Sequence, residues 1–168
     1  EGSSEAKATI RSALDRLKEF PDFKFVCSSA SVYQWVEEFV PEMFEEVKQR
    51  VAEGRFIVIG GMHVQPDCNN PSGEGFARQT LYSQRYFQEK FGTTAKVGYN
   101  VDSFGHNLML PQILKKSGVK YFFTDKLAAF NDRYRFPHTF FQWQGIDGTK
   151  IPAYLERCSY NGCLNCER

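Results

Sequence analysis

A carboxylate, an aromatic ring and an imidazole fall within five residues in the segment Asp102-Ser103-Phe104-Gly105-His106. A small polar loop of this kind is a candidate site, and His106, four residues after Asp102, could join it as a second metal ligand. Two residues do not make a coordination shell, however. Asp102 could equally cap a helix or bond a turn, and His106 could be a core or surface residue. A second loop, from Gly60 to Glu74, is rich in Gly, Pro and Asn and carries His63, Asp67 and Glu74. Ser72 there reads as a helix cap, and Glu74 as a first-turn carboxylate that favours the helix dipole. Near the end, Cys158, Cys163 and Cys166 form C-x4-C-x2-C. A C-x2-C pair can give two thiolates to zinc, but no second pair lies nearby, so free thiols are the competing reading.

The elements that would hold these loops alternate. Apolar residues at Ile10, Ala13, Leu14 and Leu17 lie on one face of a helix that ends at Phe20-Pro21. Phe23 to Cys27 has strand length, and Ser31 is placed to cap a helix carrying Val32, Trp35, Val36, Phe39, Phe44, Val47 and Val51. Pro41 should break that helix near Val40. The strand Phe56 to Ile59 leads to Gly60-Gly61, and a helix follows Ser72. Then come a strand from Lys96 to Val101, a helix from Leu110 to Ser117 and a strand from Tyr121 to Thr124. Phe140 to Trp143 and Lys150 to Leu155 flank Gly145-Ile146-Asp147-Gly148 as a hairpin. Strands alternating with helices imply an α/β class with a parallel sheet. Chemistry then gathers at the carboxyl ends of the strands, which selects the loops at His63, Asp102 and Lys126.

Composition narrows the partners. The 21 basic and 20 acidic residues are interspersed and leave no basic stripe, which argues against nucleic acid. No apolar run has membrane-spanning length and no signal pattern opens the chain, so a soluble, cytoplasmic protein is expected. Five cysteines, an odd number, fit a reducing compartment. Homo-oligomerisation is left open.

With these loops in view, the chain resembles glycoside hydrolase family 38, the retaining α-mannosidases. The resemblance runs in order through Ser28-Ser29-Ala30, Glu53-Gly54-Arg55-Phe56, Gly60-Gly61 with Pro66-Asp67, Asn70-Pro71-Ser72-Gly73-Glu74, Arg78-Gln79, Phe91-Gly92, Asp102 to His106, Leu110 to Leu114 and Phe136-Pro137-His138 to Thr149. It implies that residues 1–168 are an incomplete N-terminal catalytic domain of a longer protein, forming part of a seven-stranded β/α barrel. It further implies that Asp102 is both the nucleophile and a ligand of a divalent metal, most often zinc. Phe104 and, further along, Lys126 would line the sugar site of an α-mannoside oligosaccharide or glycan substrate.

Some family features have no counterpart here. The N-terminal His-x-His/Asn-x-Asp metal motif and the later His ligand are absent, and the acid/base Asp is expected beyond Arg168. His63 and Gln65 stand where many members have Trp and Glu. The piece alone is therefore expected to be inactive. Two other functions compete: a carbohydrate- or metal-binding domain that lost the chemistry, and a metal-dependent polysaccharide deacetylase, which would want a paired Asp-Asp and a His-x3-His that the sequence lacks.

Overall fold

The computed structural model describes residues 2–126 and 137–156. Helix α1 (Gly2–Glu19) packs Ile10, Leu14 and Leu17 inward, the face its spacing predicts. Strand β1 (Phe25–Cys27) precedes α2 (Ala30–Phe39), and Val40 separates α2 from α3 (Pro41–Ala52). Pro41 starts the new helix because its missing N–H is one that a first helical turn leaves unused. Strand β2 (Phe56–Val58) leads to α4 (Gly73–Phe91), and Ser72 Oγ caps α4 by accepting from Gly75 N at 3.1 Å. Strand β3 (Val97–Asn100), α5 (Leu110–Lys116), β4 (Tyr121–Thr124), β5 (Phe140–Gln144) and β6 (Lys150–Leu155) follow.

One cap differs from expectation. Ser31 lies inside α2, and the residue at the helix N-cap is Ser29, which has φ of 73° and makes no side-chain cap bond. The first N–H groups of α2 are satisfied from another loop: Ala30 N donates to Met62 O at 3.2 Å and Ser31 N to His63 O at 2.9 Å. Tertiary carbonyls thus replace the capping hydroxyl.

Strands β1 and β2 pair in parallel, as do β3 with β4 and β4 with β6; β5 runs antiparallel to β6 as the hairpin pattern requires. The described strands form a two-stranded and a four-stranded sheet, so the α/β class holds but no closed seven-stranded barrel is present among them. Among the described residues a backbone bond joins the two sheets, from Gly60 N to Val97 O at 2.7 Å. One apolar core under β1 and β2 gathers Leu14, Tyr33, Phe44, Phe56 and Phe87. A second, around Phe76, Leu110, Leu114, Phe122 and Ile151, seats α5 against the larger sheet. Gly98 lets α5 approach: a Cβ there would stand 3.1 Å from Phe122 Cδ2 and 3.2 Å from Leu114 Cδ2. On the opposite face Tyr99, Phe123 and Tyr154 stack in a row, each pair of ring centres 5.3 Å apart.

Gly60 has φ of 89°, and a Cβ on it would meet Ser28 Cβ at 3.1 Å and Ser29 N at 3.3 Å. Gly60→Ala is expected to destabilise the fold by at least about 1–2 kcal/mol, the cost of a side chain in left-handed backbone. Urea denaturation measures it, and an unchanged midpoint would show that the junction tolerates a side chain.

Candidate active site

Asp102 stands two residues past the end of β3, and Lys126 two past the end of β4. Because β3 and β4 are neighbouring parallel strands in register, with Asn100 opposite Thr124, these two loops emerge side by side. Lys126 Nζ lies 3.4 Å from Asp102 Oδ1; the lysine side chain is 12% exposed and the aspartate 51%. The lysine stem is covered while its ammonium reaches the carboxylate, an arrangement that a long amphipathic side chain allows. Phe104 is 70% exposed. The three residues singled out in the sequence therefore share one rim of the sheet.

His106 behaves differently. Its ring meets Phe122 and Trp143 edge-on, with centres 5.4 and 5.8 Å away, and its Nε2 lies 3.2 Å from Thr124 Oγ1. Burial pushes its pKa down to about 4. The core reading of His106 is the one the packing supports. Glu74 pairs with Arg78 on the surface of α4 at 2.8 Å, as a structural first-turn carboxylate would. Asp147 serves the β5–β6 turn, accepting from Thr149 N at 3.1 Å and from Thr149 Oγ1 at 2.6 Å.

The loop after β2 forms the floor beneath Asp102. Asp67 Oδ1 accepts from Asn69 N at 2.8 Å and Asn70 N at 3.2 Å, which turns the chain. Gly105 then passes so close to Asn69 that a Cβ would lie 2.6 Å from Asn69 Nδ2. Gln65 Oε1 accepts from Val101 N at 3.4 Å. Asn100, Ser103 and Cys68 are buried between the two loops and grouped around Pro66 O. Asp67 and Gln65 are noted in the sequence and Ser103 lies within the Asp102 segment, but no supporting role is read there for Asn100, Ser103 or Cys68; a polar Asn ending an otherwise apolar strand is the available signal.

A divalent metal is a separate question. Among the described residues no group of three or more His, Cys, Asp or Glu is placed to hold one. Asp102 offers a single carboxylate whose Oδ1 already faces an ammonium, so the described residues do not fit a complete metal centre. Cys158, Cys163 and Cys166 lie outside the described residues. Cys27 and Cys68 are free thiols, and burial pushes both thiols up in pKa, Cys27 to about 12.

The match to the N-terminal domain of glycosyl hydrolases family 38 extends over residues 1–163. The chain belongs to family 38. It is 44% identical over 136 residues to α-mannosidase G of Dictyostelium discoideum, covering 81% of this chain and 12% of that protein. It is 38% identical over 140 residues to the α-mannosidase of Saccharomyces cerevisiae, covering 83% of this chain and 13% of that one. The chain thus spans about an eighth of the length of these curated relatives. Its fold is similar to that of an α-mannosidase from Enterococcus faecalis, with a TM-score of 0.79 at 22% identity over 92% of this chain and 18% of that one. The family 38 match includes the loops that carry Asp102, Phe104 and Lys126.

Two measurements follow from this geometry. Phe104→Ala should cost well under the roughly 3–5 kcal/mol of a core Phe truncation, because most of the ring already faces water. Chemical denaturation giving a core-sized loss would make Phe104 a packing residue. For His106 the folded pKa lies below the unfolded value of about 6.5, so the unfolded chain binds the proton more readily. That stabilising contribution is complete above about pH 6.5 and is lost as pH falls toward 4. His106→Gln should therefore flatten the stability profile between those limits, and an unchanged slope would show that His106 does not titrate as a buried neutral ring.

Proposed function

We propose that this chain supplies the nucleophile loop of a retaining α-mannosidase, with Asp102 as the nucleophile. The observation that carries the reading is the placement of Asp102 in a family 38 chain: an accessible carboxylate at the carboxyl end of a parallel strand, beside Lys126 and on the same rim as the exposed Phe104. Buried Asn100, Ser103 and Cys68 lie in the loops beside it, and its own side chain is half-exposed.

In the proposed reaction a carboxylate oxygen of Asp102 attacks the anomeric carbon of a terminal α-mannoside. The glycosidic bond breaks, and a second carboxyl group passes its proton to the departing oxygen. The resulting glycosyl ester is cleaved by water, whose proton returns to that second group. A retaining pair stands about 5–5.5 Å apart, and we assign no described residue to the second role: Asp67 and Asp147 are committed to turns. Lys126 would hold the Asp102 carboxylate in one orientation, and Phe104 would offer its ring face to the apolar side of the sugar.

A divalent cation, zinc by family resemblance, would take Asp102 as one ligand and need its others from outside the described residues. We further propose that the six strands form an arc of a seven-stranded β/α barrel, and that catalysis belongs to a longer protein whose substrate is a mannose-bearing glycan. Free thiols at Cys27 and Cys68 fit residence in the cytoplasm. Among the described residues no helix is long and apolar enough to cross a membrane.

Asp102→Ala in the full-length protein should lower kcat for an activated aryl α-mannoside by at least about a thousandfold, because no covalent intermediate can form. Activity within a few tens of per cent of wild type would remove Asp102 from the nucleophile role.

A further inference from the structure

Behind Asp102 lies a set of buried polar groups that the proposed reaction does not use. Asn100, the last residue of β3, is 1% exposed. Its Nδ2 lies 3.3 Å from Ser103 Oγ, 3.3 Å from Cys68 Sγ and 3.4 Å from Pro66 O. Ser103 is also buried; its Oγ donates to Pro66 O at 3.3 Å and lies 3.5 Å from Cys68 Sγ. The carbonyl oxygen of Pro66 has two lone pairs, so it can accept from both Asn100 and Ser103. Thr124 Oγ1 donates to Asn100 O at 2.8 Å, which ties the same residue to β4.

The direction of these bonds is informative. A buried amide costs free energy unless its donors find acceptors, and an apolar side chain of the same size would avoid that cost. Here the acceptors near the Asn100 amide group come from the loop after β2 and from the residue that follows Asp102. Asn100 and Ser103 flank Val101 and Asp102, and Val101 N is itself held by Gln65 Oε1. A short surface segment is thereby anchored before and after its half-exposed carboxylate.

We propose that Asn100 is a positioning residue for Asp102: its buried carboxamide, acting through Ser103 and the Pro66 carbonyl, locks the Asp102 loop onto the loop after β2 and so aims the carboxylate. The proposal rests on the reading of Asp102 as nucleophile. Attack on a carbon centre needs near-contact geometry, so a small displacement of the loop falls on the chemical step more than on substrate binding.

Asn100→Leu, Ser103→Ala and Ser103→Thr in the full-length protein test this with an aryl α-mannoside, kcat and KM being measured beside the unfolding midpoint. Asn100→Leu should lower kcat about 10- to 100-fold while KM stays within about twofold. Ser103→Ala should move kcat the same way, and Ser103→Thr, which keeps the hydroxyl, should restore most of it. A folded Asn100→Leu protein with kcat within about twofold of wild type overturns the proposal, whatever its midpoint. If Asn100→Leu does not fold, the Ser103 pair decides, and equal kcat for the Ala and Thr variants overturns it. Failure of both Asn100→Leu and Ser103→Ala to fold also overturns it, since the cluster would then serve the fold alone. Activity that survives Asp102→Ala refutes the nucleophile reading instead, a result the Asn100 and Ser103 variants cannot produce.

Discussion

The hydrogen bond from Gly60 N to Val97 O is the joint on which the rest of the molecule depends. Among the described residues it is a backbone link between the β1–β2 pair and the four-stranded sheet, and it forms just where β2 gives way to the long loop that contacts Asn100, Val101 and Ser103. The bond needs the chain to turn through left-handed backbone at Gly60 with Ser28 and Ser29 pressed against it. Within each sheet the parallel pairing brings carboxyl ends together, those of β1 and β2 in one and those of β3 and β4 in the other. The first turn of α2 can then draw its hydrogen bonds from Met62 and His63, and the Pro66 carbonyl comes within reach of Asn100.

Much of this organisation is legible in the sequence. Element order follows from local signals that depend on no distant residue: the 3.6-residue spacing of Ile10, Leu14 and Leu17, the Pro41 break, the Ser72 cap and the hairpin turn at Gly145 to Gly148. Ser31 misleads because the sequence cannot show that carbonyls more than thirty residues away serve the same N–H groups. Curvature and closure of the sheets are also hidden. They depend on how strands from distant parts of the chain meet, and the described strands leave two open sheets where the family resemblance implies a barrel.

At the site the same division holds. Asp102, Phe104 and Lys126 stand out because strand ends in a parallel sheet are where side chains are free to meet a ligand, and the structure puts all three on one rim. Asn100 and Ser103 do not stand out. Their importance comes from burial and from partners across a gap of more than thirty residues, Pro66 and Cys68, which no spacing rule connects. Cys68 shows the converse: a residue type that suggests reactivity is here a neutral, buried thiol among polar neighbours, with its pKa raised by burial.

The electrostatics of the rim favour a particular division of labour between Asp102 and Lys126. An ammonium on a largely covered stem loses little rotamer freedom when it meets a carboxylate, because packing has already fixed most of the chain. The half-exposed partner keeps the mobile water that a desolvated pair would forfeit, so the pair avoids the penalty of a buried salt bridge. With Nζ at 3.4 Å from Oδ1, the two oxygens of Asp102 are no longer equivalent. The lysine meets the side chain, while in the positioning role proposed above Asn100 and Ser103 hold the backbone on either side of it. A carboxylate held in both ways keeps one orientation without being buried, a combination that suits the nucleophilic role proposed for Asp102.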